Sequence, residues 1–247
     1  HMDEVGLMVS GIEKGFLRLA RVGGTDKRIL LGQEIIVHGR RELPGVIGFR
    51  PPHVLSPDQR TQVIPLDEIF ADVGLPEAQV KKLVRVGDLV SLRREAIELK
   101  NGLLAGKALD DRAAVAALIV CLDALRAHPP EWDVWAVATI QEETRLLGAA
   151  TVAYELNPDV AIAIDVTFGA QFGVPESKTY GMGKGPVIGI GPNIHPRVSR
   201  ALVDAAKRLE MSHQMDPIPG HSGTDGWAIQ VAREGIPTGV LSIPLRY

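Results

Sequence analysis

Apolar and polar positions follow two different patterns along the chain, and the pattern changes near residue 105. From about Gly11 to Leu104, short β-rich runs such as "GFLRLARVGG" and "ILLGQEIIVHG" are separated by glycine. Closely spaced runs with turn residues between them are typical of a small antiparallel barrel. One short helix is predicted inside this part, near Pro76 to Leu83. We therefore predict a small β-barrel over residues 11–104.

After residue 105, strand-like runs alternate with helical patterns. The predicted strands are "VWAVATI", "VAIAID" and "TGVLSIP", and the predicted helices cover 111–127, about 146–155, about 196–210 and about 224–234. Strands that alternate with helices predict a layered α/β domain on a largely parallel sheet. The opening residues "HMDEVGLMV" also have a strand pattern. The α/β domain is therefore predicted to be discontinuous, with residues 1–10 and 105–247 flanking the inserted barrel.

Composition and charge narrow the classes of partner. The 247 residues carry a net charge of −3, so the basic field that nucleic acid or an anionic membrane would require is missing. The longest apolar run, Ala113 to Leu122, is too short to span a bilayer. The single cysteine, Cys121, and the lack of a signal peptide favour a cytoplasmic setting. We expect neither a nucleic acid nor a membrane as partner.

Acidic residues and one histidine recur where the predicted strands and helices meet. They are Glu142 and Glu143 after one strand, Asp165 after the next, Asp110 and Asp111 before the first helix, and His1 with Asp3 in the opening segment. In open α/β sheets, ligands bind beyond the carboxyl ends of the strands. Carboxylates gathered there would repel and desolvate one another unless a cation neutralised them. The sequence therefore predicts a divalent metal site.

Spacing suggests how such a site could divide its work. Asp3 lies two residues from His1 and would share a face with it on a strand, so its carboxylate could accept a hydrogen bond from the imidazole and fix its tautomer. The neighbouring side chains of Glu142 and Glu143 diverge, so one could bind metal while the other acts as general base. Asp110 is the candidate to bridge two ions about 3.5–4 Å apart.

Two other motifs do not support the chemistry they suggest. "GHSGT" has Thr224 where a nucleophile elbow needs its last glycine, so a serine hydrolase is rejected. "GMGKGP" has Pro186 where a dinucleotide-binding loop needs glycine. In the glycine-rich loop "GHSGTDG", Asp225 is predicted to cap the helix that follows.

Several blocks, in this order, resemble one family: "HMDEVGLMV", "GFLRLARVGG", "GKALDDR", "ATIQEE", "AIAID", "GKGPVI" and "SGTDGWAIQVAREGIPTGVLSIPLRY". They are similar to the M42 metallo-aminopeptidases, the group that includes glutamyl aminopeptidase, TET peptidases and proteins labelled endoglucanase. The resemblance covers essentially the whole chain. It implies an α/β metallopeptidase catalytic domain with an inserted β-barrel dimerisation domain. It also implies a homo-oligomer in which dimers assemble into a hollow tetrahedral dodecamer.

The resemblance also implies roles for particular residues. His1 and Asp165 would be terminal metal ligands, Asp110 the bridging ligand, Glu143 a ligand and Glu142 the general base. The cofactor would be two divalent ions per subunit, zinc or cobalt. The implied function is that of a cytoplasmic aminopeptidase that removes N-terminal residues from peptides, with a metal-bound water giving its proton to Glu142.

Two features of this chain depart from the family pattern. Thr144 and Arg145 follow the paired glutamates, where the family usually has a glycine. The family's last metal-binding histidine would come just after "PLRY", so the sequence resembles part of a longer protein.

Two alternative functions stay open at the level of sequence. An endoglucanase-type glycosidase would also use two carboxylates, but aromatic residues, which stack on sugars, make up only 4% of the chain. Glu142 and Glu143 also belong to one backbone turn rather than to opposite sides of a scissile bond. A non-catalytic assembly protein that retains the fold is the second alternative, and Arg145 favours it.

Overall fold

The computed structural model describes residues 1–246, apart from the side chains of residues 52 and 59. Tyr247, the last residue of the predicted catalytic domain, lies outside the described residues. The chain divides into two compact units, residues 1–4 with 108–247 and residues 5–107. The sequence had placed the boundaries at 10/11 and 104/105. The difference at the first boundary arises because the opening strand starts only at Gly6 and belongs to the barrel.

Residues 5–107 form a closed six-stranded barrel in the order β1-β2-β5-β4-β3-β6, with antiparallel neighbours. The strands are β1 (Gly6–Glu13), β2 (Phe16–Val22), β3 (Glu34–His38), β4 (Glu42–Gly48), β5 (Phe70–Asp72) and β6 (Leu89–Leu92). Helix α1 (Glu77–Leu83) separates β5 from β6, and a hairpin of β7 (Ile97–Glu98) and β8 (Leu104–Ala105) follows. Short 3₁₀ turns in this unit cover Lys27–Ile29, Pro52–Val54, Asp58–Arg60, Leu66–Glu68 and Lys100–Gly102.

Alternating burial explains why this segment closes into a barrel. Every second side chain of a strand faces the same side, and the buried set follows that period. The clearest examples are Leu7 with Val9, Leu17 with Leu19, and Ile35 with Val37. These side chains belong to one apolar cluster inside the barrel. The predicted barrel and its short helix are both confirmed.

The other unit is an α/β domain, as predicted. Its sheet has the order β11-β10-β12-β9. The elements are α2 (Leu109–Ala127), α3 (Leu147–Leu156), β9 (Ala161–Phe168), β10 (Val187–Ile190), α4 (Pro196–Arg208), β11 (Gln214–Pro217), α5 (Asp225–Ile229) and β12 (Thr238–Leu245), with a 3₁₀ turn at Glu176–Lys178. The pairs β9–β12 and β10–β11 are parallel, whereas β10–β12 is antiparallel. The sheet is therefore mixed rather than largely parallel.

The predicted strand "VWAVATI" is wrong, because residues 134–140 have no strand in the structure. Val134, Trp135 and Ile140 are 50%, 68% and 53% exposed. The backbone of this segment is held at its end instead, where the Thr139 carbonyl accepts a hydrogen bond from the Met2 amide at 2.8 Å. Apolar character alone cannot supply the neighbouring strand that a ladder needs.

Within the described part of the chain, no helix combines the length and the apolar character needed to cross a membrane.

Candidate metal centre

His1 lies at the centre of the candidate site, and its side chain is buried. Its Nε2 atom is 3.3 Å from Asp110 Oδ1 and 3.5 Å from Glu142 Oε2. On the other side of the ring, Nδ1 lies 3.1 Å from the backbone oxygen of Asp3. With the proton on Nδ1 facing that acceptor, Nε2 has its lone pair available for a metal ion.

Asp110 and Asp111 precede the regular part of α2, and their side chains have different surroundings. Neither residue has helical backbone angles, and the peptide bond between them is cis. The Asp110 side chain is 49% exposed, whereas Asp111 is completely buried. Asp111 Oδ2 accepts a hydrogen bond from the backbone nitrogen of His1 at 2.7 Å. Asp110 is thus placed to act as a ligand, while Asp111 holds the backbone of His1.

Asp165 is supplied by strand β9. It lies within the strand rather than after its end, and it pairs in register with Ser242 of β12. Its side chain is buried, and Oδ1 accepts a hydrogen bond from the Val166 amide at 2.7 Å. The parallel neighbour β12 and this local bond together fix the carboxylate.

The structure brings three of the predicted ligands into one group. His1, Asp110 and Asp165 each offer one ligand atom, and these atoms lie within 4.8 Å of one another. Glu143, the fourth predicted ligand, is not in this group as the described residues define it. Its side chain is half-buried, and its backbone amide donates to Asp3 Oδ2 at 3.2 Å.

Glu142 lies on an irregular turn between residue 140 and helix α3. Its carbonyl accepts hydrogen bonds from the amides of Arg145 and Leu146, both at 3.0 Å, which closes the turn. Gly148 passes so close to Ile140 that a Cβ there would lie 2.2 Å from the Ile140 carbonyl oxygen. The turn therefore requires glycine at 148, and it holds the buried Glu142 side chain beside His1.

Arg145 adopts a φ of 110°. This is a region that glycine occupies without strain and that other residues rarely adopt. The turn thus keeps the shape a glycine would favour, although an arginine now occupies the position.

Asp3 makes a contact that the sequence did not suggest. Its carboxylate accepts hydrogen bonds from two successive backbone amides, those of Glu142 and Glu143, each at 3.2 Å. The imidazole of His1 is farther from this carboxylate, with Nδ1 at 3.4 Å from Oδ1, than from the Asp3 backbone oxygen. Asp3 therefore holds the turn that carries Glu142 and Glu143, called the glutamate turn below, as well as lying next to His1.

Asp225 is a candidate residue whose role sequence reasoning missed. It was predicted to cap a helix, but its Oδ2 instead accepts a hydrogen bond from the Thr139 hydroxyl at 2.5 Å. The charges of His1 and Asp3 both act on this carboxylate. The signal in the sequence was the motif "TDG" at the start of a predicted helix, which is also what an ordinary cap would give.

The pKa values show how much negative charge this site concentrates. Burial, followed by the charge of Asp165, raises the pKa of Glu142 to about 8. Burial and the charge of Asp111 raise the pKa of Asp165 to about 7. Burial lowers the pKa of His1, but the hydrogen bond to Asp110 and the nearby acidic side chains outweigh it and raise that pKa to about 10. The protein alone therefore holds protons where a cation would otherwise balance the charge.

A divalent ion fits these residues on chemical grounds. Carboxylate oxygens and an imidazole nitrogen are suitable ligands for zinc and similar ions. Asp111 Oδ1 is buried and has no hydrogen-bond partner among the described residues, which is costly for a carboxylate unless a positive charge lies nearby. Metal binding would displace the protons that the raised pKa values hold.

Comparison with known proteins agrees with this geometry. A profile of the M42 glutamyl aminopeptidase family matches residues 1–247. The chain is 37% identical to lysyl aminopeptidase of Pyrococcus furiosus, with the alignment covering all of this chain and 72% of that protein. Among solved structures, a TET aminopeptidase from a marine sediment thaumarchaeon superposes with a TM-score of 0.92 at 31% identity, over all of this chain and 72% of its own.

A TET peptidase of Pyrococcus horikoshii, which can assemble into a tetrahedron or a large octahedral shell, gives a TM-score of 0.86 at 32% identity, over all of this chain and 74% of its own. The family match spans the whole chain. His1, Asp110 and Asp165 converge in an α/β domain, and the chain also contains a closed barrel. This chain therefore belongs to the M42 family of aminopeptidases and is a hydrolase of that metal-dependent group.

Proposed function

We propose that the chain hydrolyses the N-terminal peptide bond of peptides with two divalent ions, and that Glu142 is the general base. The observation that carries the proposal is the grouping of His1, Asp110 and Asp165 within 4.8 Å beside the buried Glu142. A single ligand group next to a buried carboxylate is the arrangement that metal-assisted hydrolysis uses.

Each residue has a separate role in this proposal. His1 and Asp165 would each hold one ion, and Asp110, whose side chain is the most exposed of the three, would be shared between them. Glu143 completes the ligand set from the turn that Asp3 holds. Zinc or cobalt suits these oxygen and nitrogen ligands.

When bound, the ions supply a Lewis acid for the scissile carbonyl and lower the pKa of the attacking water. Glu142 accepts the proton from that water and later donates it to the leaving amine. Its position supports both steps, because the side chain is buried beside His1 while its backbone is fixed by the Asp3 carboxylate.

We propose that the protein works as a homo-oligomer, with dimers assembled into a tetrahedral dodecamer. The assembly of the Pyrococcus horikoshii relative supports this proposal. The barrel, residues 5–107, is the proposed dimer contact, because all three members of the ligand group lie in the other unit. A cytoplasmic location accords with the single cysteine of the chain.

The reaction class can be tested with two substrates assayed side by side. The full-length protein should release amino acids from lysyl and glutamyl peptides and should leave a β-glucan intact. EDTA should abolish peptide turnover, and zinc or cobalt should restore it, because the bound ions would supply the Lewis acid that the reaction needs. Chelator-resistant release of sugar would instead support the glycosidase. Absence of turnover on both substrates in a metal-loaded protein would support the assembly protein.

A further inference from the structure

The hydrogen bond between Thr139 and Asp225 joins two distant parts of the chain. The Thr139 hydroxyl donates to Asp225 Oδ2 at 2.5 Å, across 86 residues of sequence. Thr139 lies three residues before Glu142, and Asp225 is the first residue of α5. The bond therefore connects the segment that leads into Glu142 with the first residue of helix α5.

The segment before Glu142 has few other attachments. Residues 133–139 form no strand, so they have no regular ladder to hold them. The backbone is tied by the Met2 amide to the Thr139 carbonyl and, beyond it, by the Asp3 carboxylate to the Glu142 and Glu143 amides. These attachments come from the opening residues, while the amides of Gly148 and Leu147 donate to the carbonyls of Ile140 and Gln141 at 3.1 and 3.2 Å. Thr139 supplies an attachment to the sheet side of the domain.

Asp225 offers a rigid anchor. The next residue, Gly226, lies so close to the sheet that a Cβ there would be 2.9 Å from Val240 and 3.4 Å from Ala163. Ala163 belongs to β9, the strand that also carries Asp165. The first turn of α5 is therefore packed directly on the strand that supplies a candidate ligand.

We propose that the Thr139–Asp225 hydrogen bond is a latch that positions Glu142 relative to the Asp165 side of the metal group. Thr139 is then a positioning residue that acts through Glu142. The proposal rests on the function proposed above, in which Glu142 is the base. The carboxylate of Asp225 also depends on this bond, because its other oxygen, Oδ1, is buried without a hydrogen-bond partner among the described residues.

Replacing Thr139 by valine removes the hydroxyl and keeps the branched shape. We expect kcat to fall by about tenfold to 10²-fold, the cost of misplacing a reacting group by a fraction of an ångström to an ångström, while KM changes little. Thr139→Ser restores the hydroxyl and should restore kcat. Thr139→Ala also lacks the hydroxyl and serves if the valine variant does not fold. In the Glu142→Gln background, Thr139→Val should cause little further loss, because the two residues act as a unit.

Thr238→Val is the matched control, because it removes the hydroxyl of another hydrogen-bonded threonine, the one that donates to the Ile236 carbonyl at 2.8 Å. Thr238 is the first residue of β12, four residues before Ser242, which pairs with Asp165, so kcat should be unchanged even if thermal stability falls.

A measurement on the metal-free protein separates this proposal from the proposed function. Amide hydrogen exchange of residues 140–146 should be faster in Thr139→Val than in wild type, and unchanged in Thr139→Ser and Thr238→Val. Exchange unchanged in Thr139→Val would overturn the latch, whatever the activity of the wild type. Faster exchange with unaltered kcat would overturn its role in positioning Glu142. Faster exchange in Thr139→Val, together with a wild type that lacks peptidase activity, would support the latch and contradict the proposed function instead.

Discussion

Glu142→Gln should retain bound metal and lose about 10²- to 10⁴-fold in kcat, which is the usual contribution of a general base. Glutamine has the shape of glutamate but cannot accept the proton of the attacking water. The metal should remain because the ligand atoms of His1, Asp110 and Asp165 are unchanged. Steady-state kinetics together with metal content by mass spectrometry provide the test.

Glu143→Gln is the informative companion, and it should lose metal together with activity. Glu155→Gln is the matched control, because Glu155 is an exposed glutamate on α3 and its neutralisation should affect neither quantity. Equal metal loss in the Glu142 and Glu143 variants would contradict the division of roles between the two residues.

Asp110→Asn should remove or strongly weaken both ions and abolish turnover. As the proposed shared ligand, Asp110 would contribute to each ion, and its carboxylate oxygen lies 3.3 Å from His1 Nε2. Even loss of a partner outside the ligand set usually costs about 10–100-fold in metal affinity, so loss of a shared ligand should cost more. Calorimetric titration of the metal-free protein with zinc measures this affinity.

Two other aspartate variants calibrate that result. Asp3→Asn should weaken metal affinity by about 10–100-fold, because Asp3 holds the glutamate turn and lies next to His1 rather than binding an ion. Asp123→Asn removes an exposed carboxylate on the same helix α2 and should leave the metal affinity unchanged. An Asp110→Asn variant that binds two ions with wild-type affinity would contradict the bridging role.

Local patterns were sufficient to predict the barrel. Its strands alternate buried and exposed residues, as at Leu7 and Val9 of β1, and glycines mark the turns between them. Because the barrel is closed, each strand has one face inside it and one face outside, so the period-2 signal is strong. The grouping of His1, Asp110 and Asp165 could also be anticipated, because one cation site accounts for acidic residues in several separate segments at once.

Other features depended on contacts that a local pattern does not encode. The run at 134–140 is as apolar as a buried strand, but no strand forms there. Strand β10 lies between glycine and proline residues, and β11 includes Asp216 and Pro217, so neither has a clear strand pattern. The helix predicted over about 224–234 ends at Ile229.

The residues around Glu142 show the same limit within the site. Asp3 and Asp225 were assigned to the His1 imidazole and to a helix cap, because those are the usual partners at such sequence separations. Their carboxylates instead accept hydrogen bonds from Glu142 and Thr139, at separations of 139 and 86 residues. Such bonds arise only when the two segments are brought together by the sheet and the helices on it.

The central claim is that His1, Asp110 and Asp165 share a pair of divalent ions, and anomalous diffraction from zinc-loaded crystals of the full-length protein tests it most directly. The account predicts two anomalous peaks, both in contact with the Asp110 carboxylate, with His1 beside one and Asp165 beside the other. An active, zinc-loaded enzyme whose anomalous peaks lie away from these three side chains would contradict it.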